Sequence, residues 1–591
     1  MNSSNRERGA QFFVAEGSAN SVFTPEDFTE EHRMIARTTA EFINGEILPV
    51  AEQLEHQDWD LTVKLLRKAG DLGLLAADVP EAYDGLGLDK VSSSLITEQI
   101  TRGGSFALSH GAHVGIGSLP IVYFGNDAQK KKYLPDLASG KKLAAYALTE
   151  PGSGSDALGA KTTAKLSADG QYYVLNGAKQ FITNSAFADL FIIYAKIDGE
   201  QFSAFIVERD SPGLSTGPEE KKMGIKASST RPLILEDVHV PVENLLGDPG
   251  RGHVIAFNIL NIGRYKLAVG CVGGAKEALE TSIRYAKTRE QFNRPIASFP
   301  LIQGKIADMA MRTFVAESIV YRTTGAIDQA LEEIDLSGAD AGRNAAKAIE
   351  EFAIECSINK VFGSETLDFV VDEGVQIHGG AGFIQDYPIE RMYRDSRINR
   401  IFEGTNEINR LLIPGTLMKK ALKGEVALLQ AAQALQQELM GPIETADESE
   451  VLGPERHAVA MVRKLFLFAG GLAVQKYGQK LEQEQEVLAD LADLGIALYG
   501  MESALLRAQK AQTNGHHHAA LQAEYVRLYV AETFPEAERL TKDILAIMED
   551  GDGLRTSLSV LRKLTRLLPP NTTALKRGIA ARLLEVEKYL A

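Results

Sequence analysis

Apolar residues recur at helical spacing through the first quarter of the chain: Met34 and Ile35, Phe42 and Ile43, then Leu61, Leu65 and Leu66. Such spacing gathers them on one face of successive helices. Thr24 can cap, Pro25 suits a first helical position, and Phe23 with Phe28 forms a hydrophobic staple, so the first helix is predicted to begin there. Near Thr162 the period changes. Residues 171–175, the pair Asn176-Gly177 and residues 178–182 read as a hairpin on a primed turn. Residues 191–197 and 202–207, separated by Asp198-Gly199-Glu200, read as a second pair, and residues 232–240 as a further strand. Helical period returns at Val254 and holds to about Lys420. Beyond it, strong helix formers dominate, with amphipathic spacing such as Leu488, Leu491, Leu494 and Leu498.

The predicted order is an N-terminal helical domain over 22–145, a middle β domain over 146–252, a helical domain over 253–420 and an additional C-terminal helical domain over 421–591. The class is mainly α with a central β domain. At 591 residues, several domains are expected. The net charge of −16 argues against nucleic acid as a partner, since phosphate binding needs clustered cations. Two cysteines, Cys271 and Cys356, exclude a disulfide framework and a Cys-rich metal site and fit a reducing compartment. The first twenty residues are polar and lack the apolar stretch of a secretory signal. The longest apolar run, 465–474, is too short to span a bilayer, so a soluble cytoplasmic protein is expected. His516-His517-His518 reads as a solvated loop, and no metal site is assigned. Arg555, Arg562, Lys563 and Arg566 punctuate the leucines of 554–568. They read as the solvated basic face of a core-facing helix, with peripheral membrane contact of the C-terminal domain as the alternative.

Candidate chemistry centres on Glu403, in the run Ile401-Phe402-Glu403-Gly404-Thr405-Asn406-Glu407-Ile408. Alone, beside a glycine, it reads as a solvated surface glutamate. Its position at the end of an apolar run, just before a helix that Thr405 or Asn406 can cap, makes it a candidate desolvated base. Desolvation moves a carboxyl toward neutrality, where general bases work best. The stretch from Tyr146 to Asp156 loses aliphatic periodicity after Thr149. Its glycines, hydroxyls and backbone amides can satisfy a flavin ring edge and a pyrophosphate, or form a plain turn. Phe181 and Thr183 end a predicted strand, where an aromatic ring can pack on a planar cofactor. Arg289 reads as a solvated cation, and the run Gln376 to Gly382 as too glycine-rich for a helix interior. No strand–GxGxxG–helix unit is present, which disfavours a Rossmann dinucleotide site.

These separated runs, in this order over residues 25–420, resemble the acyl-CoA dehydrogenase family. The resemblance implies a helical domain, a β-barrel domain and a four-helix domain, with FAD between the last two and reaching a neighbouring subunit. Carried over by position, Glu403 is the catalytic base. Tyr146, Ala147, Leu148, Thr149, Ser155, Phe181 and Thr183 line the flavin and its phosphates. Arg289, Gln291 and Phe292, with Gln376, Gly379 and Gly380, reach the neighbouring subunit's FAD. Thr405 and Glu407 contact the AMP half of the cofactor. Ser155, Asn261 and Arg264 hold the CoA portion, while Phe402 and Gly404 flank the thioester.

Phe402, the run Glu219 to Lys226 and the extra tail look like the very-long-chain subgroup. Phe181 departs from the tryptophan of many members. Gly111, Ala112 and Gly115 fall where the base of the acyl pocket is expected, and their small volume suits a long chain. The implied activity is FAD-dependent α,β-dehydrogenation of a long-chain fatty acyl-CoA in β-oxidation. Electrons would pass to an electron-transfer flavoprotein, and a homodimer would form because the tail covers the face that a second dimer covers in tetrameric members. An acyl-CoA oxidase and an assembly or scaffold protein are the rival readings; a DNA-associated relative is disfavoured by the acidic charge.

Overall fold

The computed structural model describes residues 6–591 apart from 336, 337, 339, 443 and 444. The fold is mainly α with a central β domain. Helices of eleven residues or more are numbered here. In the N-terminal region these are α1 (Glu30–Phe42), α2 (Trp59–Asp71), α3 (Lys90–Ile100) and α4 (Asp127–Ala138). Side chains of Thr29, Asp58, Asp89 and Asn126 accept backbone N–H groups at their starts, so each helix is fixed by its own cap. The first helix begins later than the Thr24-Pro25 signal: Pro25–Asp27 make a single 3-10 turn closed by a Thr24–Asp27 capping box. The staple forms, with the Phe23 and Phe28 rings 6.0 Å apart.

The β domain is an eight-stranded sheet of β1 (Ala144–Ala147), β2 (Thr163–Leu166), β3 (Tyr172–Thr183), β4 (Leu190–Ile197), β5 (Gln201–Glu208), β6 (Leu214–Thr216), β7 (Thr230–Pro241) and β8 (Leu245–Leu246). Its order is β6-β7-β3-β2-β4-β5-β8, with β1 parallel to β4. The hairpin expected at Asn176-Gly177 is absent. There β3 runs straight through, with a bulge between Leu175 and Gly177 in its pairing with β7. Asn176 spends its amide on β7, donating to Asp237 Oδ1 and accepting the Asp237 N–H, both at 2.9 Å. A β-bulge and a primed turn favour the same dipeptide. The primed turn occurs instead at Asp198-Gly199, with φ of 52° and 80°, joining antiparallel β4 and β5.

The third region holds α5 (Gly252–Thr288), α6 (Pro300–Glu332), α7 (Ala353–His378) and α8 (Asn406–Leu422). Helix α7 packs along α5, and both contact α6. The tail contributes α9 (Leu428–Glu438), α10 (Gly453–Tyr477), α11 (Gln485–Thr513), α12 (Ala519–Met548), α13 (Gly551–Leu564) and α14 (Thr572–Val586). Helix α11 lies on α6 and α8, and α14 on α6, so the tail and the third region share one core. Contrary to the short apolar run seen in sequence, Gly453–Gln483 is long and apolar enough to cross a membrane. Because 56% of that window is buried inside the molecule, it serves as a core helix.

The N-terminal segment packs as an arm. Phe12 and Phe13 are buried against the tail, their rings 4.7 Å from Tyr499 and 4.4 Å from Phe466. Arg463 Nε donates to the Phe12 carbonyl at 2.9 Å. Behind the arm runs a buried ionic network. Arg322 meets Glu7 and Glu502, and Arg507 meets Glu26 and Glu317.

Candidate active site

Glu403 sits in the turn before α8, in the left-handed backbone region at φ 58°, and Gly404 follows at φ 79°. Such φ is uncommon for glutamate and is held here by its neighbours. Asn409 Nδ2 donates to the carbonyls of Gly404 and Thr405 at 3.0 Å each and to that of Glu403 at 3.4 Å. Arg264 Nε, on α5, also donates to the Glu403 carbonyl at 3.3 Å, and its Nη1 to Asn261 Oδ1 at 2.9 Å. Thr405 caps α8 through the Ile408 N–H.

The carboxylate turns back onto α5. A Cβ placed on Gly263 would meet Glu403 Oε2 at 2.5 Å, so a side chain there would push the carboxylate from its place. That oxygen is buried and accepts no hydrogen bond. Burial pushes the carboxyl up to about 7, while the charges of Arg264 and Lys360 restrain the rise. Lys360 Nζ donates to Asn406 Oδ1 at 2.6 Å, anchoring the first residue of α8.

Facing this carboxylate is the loop after β1. Glu150 ties it down: its carboxylate accepts the Lys161 N–H at 2.6 Å and the Thr162 N–H at 3.1 Å, and pairs at 2.6 Å with fully buried Lys179. Gln180 N–H donates to the Thr149 carbonyl, joining the loop to the end of β3. A second register shift falls between Lys179 and Ile182, and there Phe181 takes φ 59°. The bulge turns its ring outward, leaving it 57% exposed. The buried Tyr146 hydroxyl has no partner, and burial among Tyr194 and Glu403 pushes it up.

A cavity of about 2190 Å3 joins these parts. Among its lining are Tyr146, Leu148, Thr149, Ser155, Phe181 and Thr183 from the β domain, and Asn261, Arg264, Phe402, Glu403, Gly404 and Thr405 from the helices. Ala147 and Glu407 do not line it; Ala147 points into the sheet core. Arg289, Gln291, Phe292, Gln376, Gly379 and Gly380 lie elsewhere, at the far end of the bundle, where Tyr285 stacks on His378 at 4.1 Å. From Arg264 to Thr288, α5 rises ~36 Å. The glycine-rich run is also more helical than its composition suggests, because α7 continues to His378 before a 3-10 turn. Gly115 is buried, yet a Cβ there would meet no atom within 4 Å. It belongs to a π-helical turn, Ala112–Gly117, of the kind that often marks functional sites.

Sequence reasoning did not single out Lys179, Lys360, Gly263 or the arm residues at the cavity mouth. Lysine at an inward position of a half-buried strand was the available signal for Lys179, and the Phe12-Phe13 pair for the arm.

Comparison with known proteins places this architecture. Models of the acyl-CoA dehydrogenase N-terminal, middle and C-terminal domains match residues 29–141, 145–238 and 250–418, and a further acyl-CoA dehydrogenase C-terminal domain matches 461–563. A probable acyl-CoA dehydrogenase of Bacillus subtilis (strain 168) is 59% identical over 584 residues, 99% of this chain and 98% of its own. The human mitochondrial very long-chain specific acyl-CoA dehydrogenase is 37% identical over 76% of this chain and 70% of its own. An acyl-CoA dehydrogenase from Bacillus anthracis, solved in complex with FAD, is 61% identical. It superposes with a TM-score of 0.97 over 99% of this chain and 100% of its own. The chain belongs to the acyl-CoA dehydrogenase family.

Proposed function

We propose that this protein catalyses FAD-dependent α,β-dehydrogenation of a long-chain fatty acyl-CoA in β-oxidation, with Glu403 as the base. The single observation that carries the reading is the Glu403 carboxylate, unpaired, partly enclosed and aimed into a cavity lined by the β-domain loop and α5. Its proton affinity, near neutrality, suits removal of an acidified α-proton.

The residues fit a flavin. An outward-turned Phe181 ring, the orphaned Tyr146 hydroxyl and the backbone at 148–149 and 182–183 border one side of the cavity opposite Glu403. FAD, when bound, supplies the hydride acceptor for the β-hydrogen. The protein's own task is to hold the thioester and move the α-proton. The Glu403 N–H donates to no described group and so is free to serve the thioester oxygen, stabilising charge as the α-carbon loses its proton. Arg264 and Asn409 fix the loop that presents it. Gly115 and the space beside it accept the acyl chain.

Arg289, Gln291, Phe292, Gln376, Gly379 and Gly380 serve a second copy. Their end of the bundle exposes Phe292 by 88% and Phe383 by 84%, an apolar surface that a homodimer would cover. Electrons would leave to an electron-transfer flavoprotein. The test is the visible spectrum of the purified protein, titrated without oxygen with an acyl-CoA series and then exposed to air. Bleaching that is greatest for long chains and reoxidises slowly in air supports the reading. Fast peroxide formation would make the protein an oxidase, and a folded protein unable to take up FAD would end the flavoenzyme reading.

A further inference from the structure

The cavity that holds Glu403 extends well past the thioester. It follows α7 and α8 outward to the N-terminal arm, where Arg8, Lys347, Lys419 and Lys423 line its mouth. None of these four cations has a carboxylate partner among the described residues. The carboxylates beside them are already taken: Glu333 and Glu351 by Arg6, at 2.9 Å each, and Glu425 by Lys420 at 3.5 Å. Among the described residues there, Glu350 alone has no ion pair. Four uncommitted cations around one opening run against the −16 charge of the chain.

Arg8 is also held in place from both sides. Arg6 makes its two ion pairs, Glu7 meets Arg322, the Gly9 N–H donates to Glu351 Oε1 at 3.2 Å, and the Ala10 N–H to Glu355 Oε1 at 2.6 Å. Each flanking residue is fixed, while the Arg8 side chain is exposed and free at the mouth. From Thr405, beside the base, to Lys419, α8 rises ~21 Å. An acyl-CoA carries its thioester at one end of a long pantetheine arm and its phosphates at the other.

We propose that the N-terminal arm completes the substrate site: Arg8, with Lys347, Lys419 and Lys423, seats the phosphates of the CoA nucleotide. Arginine and lysine at such a rim bind phosphate by charge-assisted hydrogen bonds. The inference rests on the acyl-CoA reading above and adds to it the residues that recognise the nucleotide end.

The experiment uses the full-length, FAD-loaded enzyme, with Arg8→Ala, Lys423→Ala and the double variant. Turnover is followed with an artificial electron acceptor on palmitoyl-CoA, its 3′-dephospho form and palmitoyl-pantetheine, which lacks the nucleotide. Exposed charge pairs predict that each single variant raises KM for palmitoyl-CoA about five-fold, with a larger rise in the double variant and little change in kcat. KM for palmitoyl-pantetheine is expected to stay the same. Added salt should move the parent's KM for palmitoyl-CoA toward that of the double variant. An unchanged KM for palmitoyl-CoA in the double variant overturns the proposal, as does an equal loss on palmitoyl-pantetheine. If the parent oxidises none of the three thioesters, the dehydrogenase reading falls and takes this one with it.

Discussion

Glu403 and Glu317 both draw a carboxylate out of water, yet they end in opposite states. Glu317, on α6 beneath the tail, is met by Lys276 at 2.5 Å, Arg507 at 2.7 Å and the Tyr589 hydroxyl at 2.9 Å. Those charges hold it down at about 2. Glu403 has Arg264 and Lys360 nearby, but its inner oxygen accepts nothing, and it rises to about 7. Burial alone therefore does not set the state of these two carboxylates; what separates them is how completely the charge is answered, and Glu403 differs further in facing a cavity. The tail interface answers every charge it buries around Glu317. The cavity leaves one open.

The most drastic way to break the comparison is to delete one side of it. Ending the chain after Gly424 takes Arg507 and Tyr589 from Glu317, Glu502 from Arg322 and the seat from the arm, and bares the core faces of α6 and α8. The product is expected to aggregate, as sizing chromatography would report. A soluble, active dimer would show that the tail has another role. Next in size, Glu403→Gln keeps the shape and loses the proposed base. Flavin reduction by acyl-CoA should slow at least ~10²–10⁴-fold with FAD retained. Near-normal reduction in stopped flow would place the base elsewhere.

Arg507→Met leaves Glu26 and Glu317 enclosed without their guanidinium. We expect a loss of ~3 kcal/mol in denaturant unfolding, because breaking a buried pair strands a charge. Glu403→Gln should shift stability by under ~1 kcal/mol near pH 5, where the raised carboxyl is still protonated and the amide replaces it with nearly the same shape and no charge.

A subtler separation uses pH. Glu317 sits far below its ordinary 4.5, so its stabilisation is present above that value and lost as pH falls toward about 2. Glu403 sits above 4.5, so the folded state binds its proton more tightly and stability declines as pH rises from 4.5 to about 7. Parent and Glu403→Gln melting curves should diverge over that window, the variant lacking the decline; parallel curves would deny the raised value. For the same reason the parent's kcat/KM should climb as pH passes about 7. The smallest effect is expected at Gly115→Leu, which fills the open space beside that glycine, next to Ile116 of the cavity wall. Long-chain turnover should fall more than medium-chain turnover, by up to ~0.8 kcal/mol per displaced methylene. Equal losses would remove Gly115 from the pocket.

The broad plan was legible because each region keeps one hydrophobic period over many residues, and Glu403 because its run is distinctive. Asn176-Gly177 misled because a dipeptide that tolerates positive φ serves a bulge as readily as a turn; only the partner strand, β7, decides. Thr24-Pro25 misled by a few residues because a capping box can close a single turn as well as a helix. Lys179, Lys360 and Gly263 stayed invisible because their meaning is a contact with a residue far along the chain. For Gly263 it is room for a carboxylate that lies on another element. The residues at the far end of the bundle were found by position in the chain, but one subunit alone does not bring them to Glu403.

The arm has a consequence for how the protein is made. Gly17 N–H bonds to Glu502, 485 residues later, and Phe13 packs on Phe466. The arm thus finds its seat only after α10 and α11 have been synthesised. Until then two phenylalanines, and the cation poised beside them, travel undocked. The mouth of the cavity is completed only when the arm docks, so a nascent chain stalled before the tail would carry Glu403 in a cavity without its outer wall.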